Sequence, residues 1–400
     1  MPRWLFLFML AAACGSDDAQ PEGPPIDLPR RDAAPPPSSD AEACETLTDP
    51  NNCGACGRVC PSGPRGAAAC AGGTCVLTCE RGWGDCNASA IDGCETDLDK
   101  TIDHCGACGR DCRTCEGTTC TAGACDAKTF ATRPAPITLL SVDATLLTIA
   151  DAASVDQLAR GDAALAHVYD VPKTPWLVAN GAQVLFVFPG REAYSGIYAT
   201  SAGFVGPQIA AYAQGKSVDT FGVDDTGVYW AEETTGQARA LVRCKDCAVP
   251  TVLSPSENEL RPGAIALDAT TVYFAAGDMI RRVEKTAEGL RTLAVGQSGR
   301  SLAVDADYIY WINEESKDLA RLAKVGGGTP ERLVTGLDAP RSLLLAGEHL
   351  YVGDRSALFR VDKDGGRRLD LATTETLGPL AIEGACIWYG AGTDIRRVAR

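Results

Sequence analysis

Histidine is scarce in this 400-residue chain, with only His104, His167 and His349. His104 lies in a cysteine-rich stretch, and the other two fall in or near predicted strands of different repeats. A catalytic triad or a histidine metal site is therefore poorly supplied. A Gly-rich phosphate loop and a Gly-x-Ser-x-Gly elbow are both absent, so the sequence offers no signature of nucleotide binding or serine hydrolysis. Basic residues are outnumbered, 37 Lys+Arg against 52 Asp+Glu. Nucleic-acid affinity comes largely from Lys and Arg on phosphate, so no nucleic-acid partner is expected. No apolar run approaches the ~20 residues of a membrane-spanning helix.

The first residues do carry a short apolar run, Trp4 to Ala13, after Met-Pro-Arg and before Cys14. One basic residue, a short apolar stretch and small residues before a cysteine describe an export signal at 1–13. Leu10-Ala11-Ala12-Ala13-Cys14 resembles a bacterial lipobox, with Ala11 where that pattern most often has Leu. The resemblance implies that Cys14 becomes a lipidated N-terminus. Residues 15–43 then hold Pro21, Pro24, Pro25, Pro29 and Pro35-Pro36-Pro37 with no apolar pattern. They read as a polar tether that cannot bury a core.

Cysteine is abundant where histidine is not, and it is unevenly placed. Of 19 cysteines, fifteen lie in 44–126: Cys44, Cys53, Cys56, Cys60, Cys70, Cys75, Cys79, Cys86, Cys94, Cys105, Cys108, Cys112, Cys115, Cys120 and Cys125. Only Cys244, Cys247 and Cys386 follow. The stretch repeats itself. Asn52-Cys53-Gly54-Ala55-Cys56-Gly57-Arg58-Val59-Cys60 returns 52 positions on as His104-Cys105-Gly106-Ala107-Cys108-Gly109-Arg110-Asp111-Cys112. Cys44-Glu45-Thr46 matches Cys94-Glu95-Thr96, and Cys70, Cys75 and Cys79 are matched to Cys115, Cys120 and Cys125. Paired Cys-x-x-Cys can hold zinc, but the intervening cysteines do not suit a zinc ribbon. Export to an oxidising compartment and a shortage of large apolar residues favour disulfides, which staple modules too small for a core. Cys244 and Cys247 are close enough to pair with each other. That leaves Cys386 either as partner of the odd cysteine in 44–126 or as a buried free thiol.

These modules resemble exported bacterial lipoproteins, abundant in gliding soil bacteria, that carry runs of Asn-Cys-Gly-Ala-Cys-Gly. The resemblance implies a place at the cell envelope, at the outer membrane or cell surface, and no defined activity.

Through 127–400 an aromatic-centred phrase recurs: Val228-Tyr229-Trp230, Val272-Tyr273-Phe274, Ile309-Tyr310-Trp311, Leu350-Tyr351-Val352 and Ile387-Trp388-Tyr389. Weaker copies stand at Leu146-Leu147-Thr148 and Val184-Leu185-Phe186, and the steps between centres are 38, 44, 44, 37, 41 and 37. The clearest unit divides into apolar runs at 301–304, 308–312, 319–325 and 331–335, separated by turn residues. Four short runs predict a four-stranded antiparallel meander. The first two runs are apolar at nearly every position and are expected to be buried on both faces, as in stacked blades. The predicted fold class is all-β, a seven-bladed β-propeller behind a small disulfide-rich stalk, although the period also admits six or eight blades. The last unit stops after its third strand near Ala399, and Lys128-Thr129-Phe130-Ala131-Thr132 resembles the outer strand at 291–295. That segment is expected to complete the last blade and close the ring. The Tyr-Trp units also resemble YWTD-type propeller repeats. Ala231-Glu232 and Ile312-Asn313 stand where that family has Thr-Asp, so no ligand carries over.

Asp143, Asp224, Asp268 and Asp305 recur after the first strand and are expected to cap the turn that follows. The loops between second and third strands share one rim and hold Glu232, Glu233, Asp278, Glu314, Glu315, Asp354 and Asp394. Such a rim could take a cation or a basic partner, or be no more than solvated loops. No metal, cofactor or catalytic residue is expected. The expected function is that of a monomeric, non-enzymatic envelope lipoprotein, held to the membrane by its lipid anchor alone, whose propeller binds a protein or glycan. The alternatives are a lactonase- or lyase-type propeller enzyme with a metal in the central channel, and a passive spacer.

Overall fold

The computed structural model describes residues 44–142 and 262–400 throughout, and between them the strands with some of their turns. The predicted signal and tether, including Cys14, lie outside the described residues, as do Asp143 and Cys247 and the side chains of His167, Glu232 and Glu233. Among the described residues no helix is long and apolar enough to cross a membrane.

Among the described residues, seven four-stranded antiparallel sheets follow one another. Their innermost strands are Leu139–Val142, Trp176–Asn180, Val218–Asp224, Pro262–Leu267, Gly299–Val304, Ser342–Ala346 and Leu377–Glu383. Each lies against the innermost strand of the next sheet, and the last lies against the first. The result is a β-propeller.

The fifth sheet shows why these residues form it. Its strands are Gly299–Val304, Tyr308–Asn313, Asp318–Ala323 and Glu331–Thr335. The turn after the first strand is fixed by Asp305, whose Oδ1 accepts from the amides of Asp307 and Tyr308 at 2.9 and 2.8 Å. The glycine turn before the fourth strand uses Gly326 and Gly327 at φ 73° and 83°, which side chains rarely adopt. The second strand is the aromatic phrase, sandwiched between neighbouring sheets. Tyr229, Trp230, Tyr273, Phe274, Tyr310 and Trp311 are all at most 1% exposed. The first strand departs from expectation. Ser301 to Val304 are half-buried rather than buried, because each innermost strand ends its sheet and has no partner on the inner edge.

The seventh sheet is assembled from both ends of this region. Leu377–Glu383, Cys386–Ala391 and Asp394–Ala399 are joined by Lys128–Thr132 as the outer strand. Ile395 pairs with Ala131 and Arg396 with Thr129. Phe130 meets Trp388 edge-on at 5.1 Å, and Thr132 Oγ1 donates to Asp394 Oδ1 at 2.8 Å. The pairing gives the third strand a neighbour where an open edge would otherwise stand.

A repeated polar contact bolts sheet to sheet. In the fourth sheet, Asp268 Oδ1 caps the amides of Thr270 and Thr271. Its Oδ2 accepts from Tyr273 at 3.0 Å and pairs with Lys324 of the fifth sheet at 2.5 Å. Asp305, Tyr310 and Lys363 repeat this between the fifth and sixth sheets, with both contacts at 3.0 Å. Asp224 and Lys285 do so between the third and fourth. Burial opposes the charged carboxylate of Asp268, but Lys324, the two amides and Tyr273 outweigh it and hold its pKa at about 2. A depressed folded-state pKa gives stability that is complete above the ordinary value of 3.8 and lost as pH falls through about 2. Asp268→Asn is expected to flatten that acid limb of a melting-temperature profile. An unchanged profile would show that this bolt adds nothing.

The sixth sheet lacks the bolt, because Ala346 stands where the third, fourth and fifth sheets have Asp224, Asp268 and Asp305. The cysteine-rich region packs at this place. Cys105, Cys112, Cys115 and Cys125 share one buried cluster with Tyr351, Leu371, Tyr389 and Val398. Cys115 is bonded to Cys386 in the second strand of the seventh sheet, so Cys386 is a disulfide partner and not a free thiol. Arg110, 4% exposed, donates from Nε and Nη2 to the carbonyl of Ala399 at 3.1 and 2.9 Å. What the sequence suggested as a stalk is therefore, in its second half, a module clamped to the propeller.

The other bridges are Cys44–Cys56, Cys53–Cys70, Cys60–Cys75, Cys79–Cys94, Cys86–Cys108, Cys105–Cys120 and Cys112–Cys125. Cys244 is disulfide-bonded as well. The pairing corrects the expected alignment of the repeats. Cys53–Cys70 and Cys60–Cys75 answer to Cys105–Cys120 and Cys112–Cys125. Cys70 and Cys75 thus correspond to Cys120 and Cys125, not to Cys115 and Cys120, and Cys115 is the extra cysteine spent on the propeller. The zinc alternative is excluded for these thiols, since each sulfur is already in a disulfide.

Candidate functional site

Docking the modules on the propeller creates a cleft of 930 Å³. One wall is the first module from Leu77 to Gly84, the floor is the second module around Gly106 and Gly123, and the far wall is Arg367 to Asp370 at the rim of the sixth sheet. Local chemistry sets each wall. Gly82 has φ +81°, and a Cβ there would stand 2.5 Å from Asp99 Oδ2, so the chain can turn beside that carboxylate only as glycine. Trp83 carries the Arg65 guanidinium 3.6 Å from its ring centre, a cation–π contact that fixes the indole. Across the cleft Arg368 lies 3.7 Å from the centre of the Phe359 ring and donates from Nε to Asp370 at 2.8 Å.

The charged side chains of the cleft are Glu80, Arg81, Asp99, Arg367, Arg368 and Asp370, and all six are solvent-exposed. Groups that move protons are usually found desolvated and paired. An open, mixed-charge cleft with one aromatic wall is suited to recognising a polar chain by charge and stacking.

A second hollow of 310 Å³ lies between the fifth and sixth sheets, at the bolt of Asp305, Tyr310 and Lys363. Burial and the hydrogen bond to Asp305 raise the pKa of Tyr310 above the ordinary tyrosine value. Asp305 is held below the usual carboxylate range, its burial outweighed by the Tyr308 and Asp307 amides, Lys363 and Tyr310. Both groups keep their charge states across neutral pH, as a structural bolt requires.

The predicted acidic rim is spread over successive sheets. Asp278 and Glu315 are exposed. Glu314 is paired with Arg300. Asp354 is 8% exposed and caps the Ala357 amide at 3.0 Å. Asp394 accepts from Thr132 and Arg396. Among the described residues no three rim carboxylates converge on a point; the convergent His, Cys, Asp and Glu groups all contain disulfide cysteines. His104 is structural, its Nδ1 accepting the Gly109 amide at 2.9 Å. His349 stacks on Tyr351 and lies 3.7 Å from Asp362, and burial lowers its pKa, helped by Arg360. The cleft residues were missed from sequence because nothing in 44–126 or 367–370 says that the two segments meet. The one signal was parity, which made Cys386 a candidate partner for the odd cysteine.

No protein-family model matches the chain, and no curated protein matches it. Solved structures do. A catalytically inactive histidine-to-alanine variant of virginiamycin B lyase from Staphylococcus aureus, with quinupristin, is 12% identical. It aligns over 69% of this chain and 98% of its own, with a TM-score of 0.56. The WD40 propeller of Doa1 aligns over 69% and 97% at 11% identity, TM-score 0.53. YCF48 bound to D1 peptide aligns over 69% and 95% at 10% identity, TM-score 0.51. These likenesses fix the fold alone. The chain is a β-propeller protein. Such a ring offers rims, a channel and its outer face for function, and to these the docked disulfide modules add the cleft.

Proposed function

We propose that this chain is a non-enzymatic envelope lipoprotein whose propeller and docked modules bind a protein partner. In this reading Cys14 carries the lipid, 15–43 is the tether, 44–126 holds the disulfide modules, and 127–400 is a monomeric ring of seven blades at the outer membrane or cell surface. The cleft carries the reading. Its floor is fixed, because a disulfide and a buried arginine clamp the second module to the propeller, and preformed sites at domain junctions are favoured places for binding. Support also comes from YCF48, a propeller of similar fold bound to a peptide. Partners are to be captured from envelope extract, identified, and then titrated as purified proteins. Trp83→Ala with Arg367→Glu is expected to weaken binding about ten-fold or more, in line with the loss of an aromatic anchor. Unchanged affinity would remove the cleft from the account, and selective binding to a purified envelope glycan would replace the protein partner by a sugar.

The predicted rim is tested separately by changing Glu232, Glu233, Glu314 and Glu315 to Lys. Equal capture by wild type and variant would eliminate the rim. The anchor is tested by Cys14→Ser, which is expected to move the protein from the membrane to the soluble fraction and abolish labelling by a fatty-acid probe. Retention in the membrane would contradict lipidation at Cys14.

Likeness to virginiamycin B lyase supports a second reading, a propeller enzyme with a metal in its channel. Incubation with quinupristin and divalent cations, followed by chromatography, separates the two. Consumption of quinupristin would establish the enzyme, and an unchanged chromatogram is expected.

A further inference from the structure

The two disulfide modules are built alike down to individual hydrogen bonds. The Cys53 amide donates to Arg58 O at 2.9 Å, and the Cys105 amide to Arg110 O at 3.0 Å. Gly54 donates to Thr46 O and Gly106 to Leu98 O, each at 2.8 Å. Gly73 donates to Leu47 O at 3.2 Å, and Gly123 to Asp99 O at 3.3 Å. Asn52 Oδ1 receives the Gly57 amide at 2.8 Å where His104 Nδ1 receives that of Gly109 at 2.9 Å. In both modules the first glycine has φ +75° and lies tight against the carbonyl of the hairpin glycine, Gly73 or Gly123.

Among the described residues, only one of these matching faces is covered. In the second module Arg110 bridges Cys105 O and Gly123 O with Nη1 and gives its other two nitrogens to Ala399 O, the last residue of a sheet's third strand. Leu369 presses on Gly106 so closely that a Cβ there would stand 2.8 Å from its Cδ1. The face thus reads a free strand-end carbonyl flanked by an apolar side chain. In the first module Gly54 and Arg58 are exposed. Around them, Leu47 and Val59 are 62% and 64% exposed, at the positions of Asp99 and Asp111 in the docked copy. The uncovered face therefore keeps the arginine and glycine of the covered one and adds apolar surface that the docked module does not have.

We infer that the first module is a second docking module, and that its face at Gly54 and Arg58 takes the strand end of an antiparallel sheet on another protein. Arg58 donates to the terminal strand carbonyl as Arg110 does, Gly54 admits the apolar side chain beside it, and Leu47 and Val59 widen the contact. This surface is separate from the cleft, and the inference does not depend on the cleft being a binding site.

The acceptor chemistry exists within this chain, so it supplies the probes. One is the full chain with Arg110→Ala, Cys115→Ser and Cys386→Ser, which frees its own strand end; circular dichroism checks that it folds. The other is a cyclised hairpin peptide of residues 386–400 with Cys386→Ser. The wild-type chain, its own strand end covered, is titrated with each and followed by light scattering or fluorescence anisotropy. Binding is expected to at least one probe and to weaken about ten-fold or more in Arg58→Ala, as for loss of a charge-assisted hydrogen bond. Arg58→Lys is expected to recover part of it, and Arg291→Ala, at an exposed position on the outer strand of the fourth sheet, to have no effect. Failure of the wild-type chain to bind either probe would overturn the inference, as would equal binding by wild type and Arg58→Ala.

Discussion

Cys386→Ser is expected to lower the stability of the whole protein by about 3–5 kcal/mol, the upper part of the range for a single disulfide. The bond joins residues 271 apart, and closing a longer loop removes more entropy from the unfolded chain. It also sits where the sheet-to-sheet bolt is missing, beside the hydrogen bonds of Arg110 to Ala399. Cys44→Ser, which opens a bridge between residues only 12 apart, is the control and is expected to cost clearly less. Chemical denaturation of both variants under non-reducing conditions measures the difference. Equal midpoints would mean that packing and the Arg110 hydrogen bonds hold the second module to the propeller without the disulfide.

Trp311→Ala is expected to cost about 3–5 kcal/mol, the usual range for truncating a buried aromatic. Trp311 is fully buried, and its Nε1 donates to Gln297 Oε1 and Asn313 Oδ1 at 3.1 and 3.2 Å. Asn313 Nδ2 continues the chain of bonds to Asp318 Oδ1 at 2.7 Å. Removing the indole therefore leaves a cavity between the fifth sheet and its neighbours and takes a donor from a buried polar network. Trp311→Phe keeps most of the packing and loses only the donor, so it should cost much less. The melting temperatures of the two variants separate the terms, and a loss in Trp311→Phe as large as in Trp311→Ala would assign the effect to the hydrogen bonds.

The aromatic phrase could be read from sequence because every sheet needs a large side chain in the same place. Its strand in the fifth sheet, Tyr308–Asn313, ends one residue beyond the predicted run. The outer strand Lys128–Thr132 could be read for a similar reason: an incomplete last unit asks for a strand from elsewhere. Asp268 and Asp305 were recognisable as turn caps from their spacing, but not as bolts, since their Lys partners stand 56 and 58 residues later in neighbouring sheets. The half-buried first strands were misread because a strand bordering a channel has the same apolar composition as one inside a core. Arg58 and Arg110 occupy identical motifs, and only tertiary docking makes one exposed and the other buried. The cysteine correspondence failed because matching from Cys115 ignored the common hairpin spacing of Cys70-x-x-x-x-Cys75 and Cys120-x-x-x-x-Cys125. The cleft is invisible in sequence because its walls come from segments nearly three hundred residues apart.

The second disulfide module and the propeller are joined at the seventh sheet. Non-reducing proteolysis and mass spectrometry of the purified full-length protein test this most directly. A cross-linked peptide pair containing Cys115 and Cys386 is the predicted result. A free Cys386 thiol, or Cys115 bridged to another cysteine of 44–126, would contradict it.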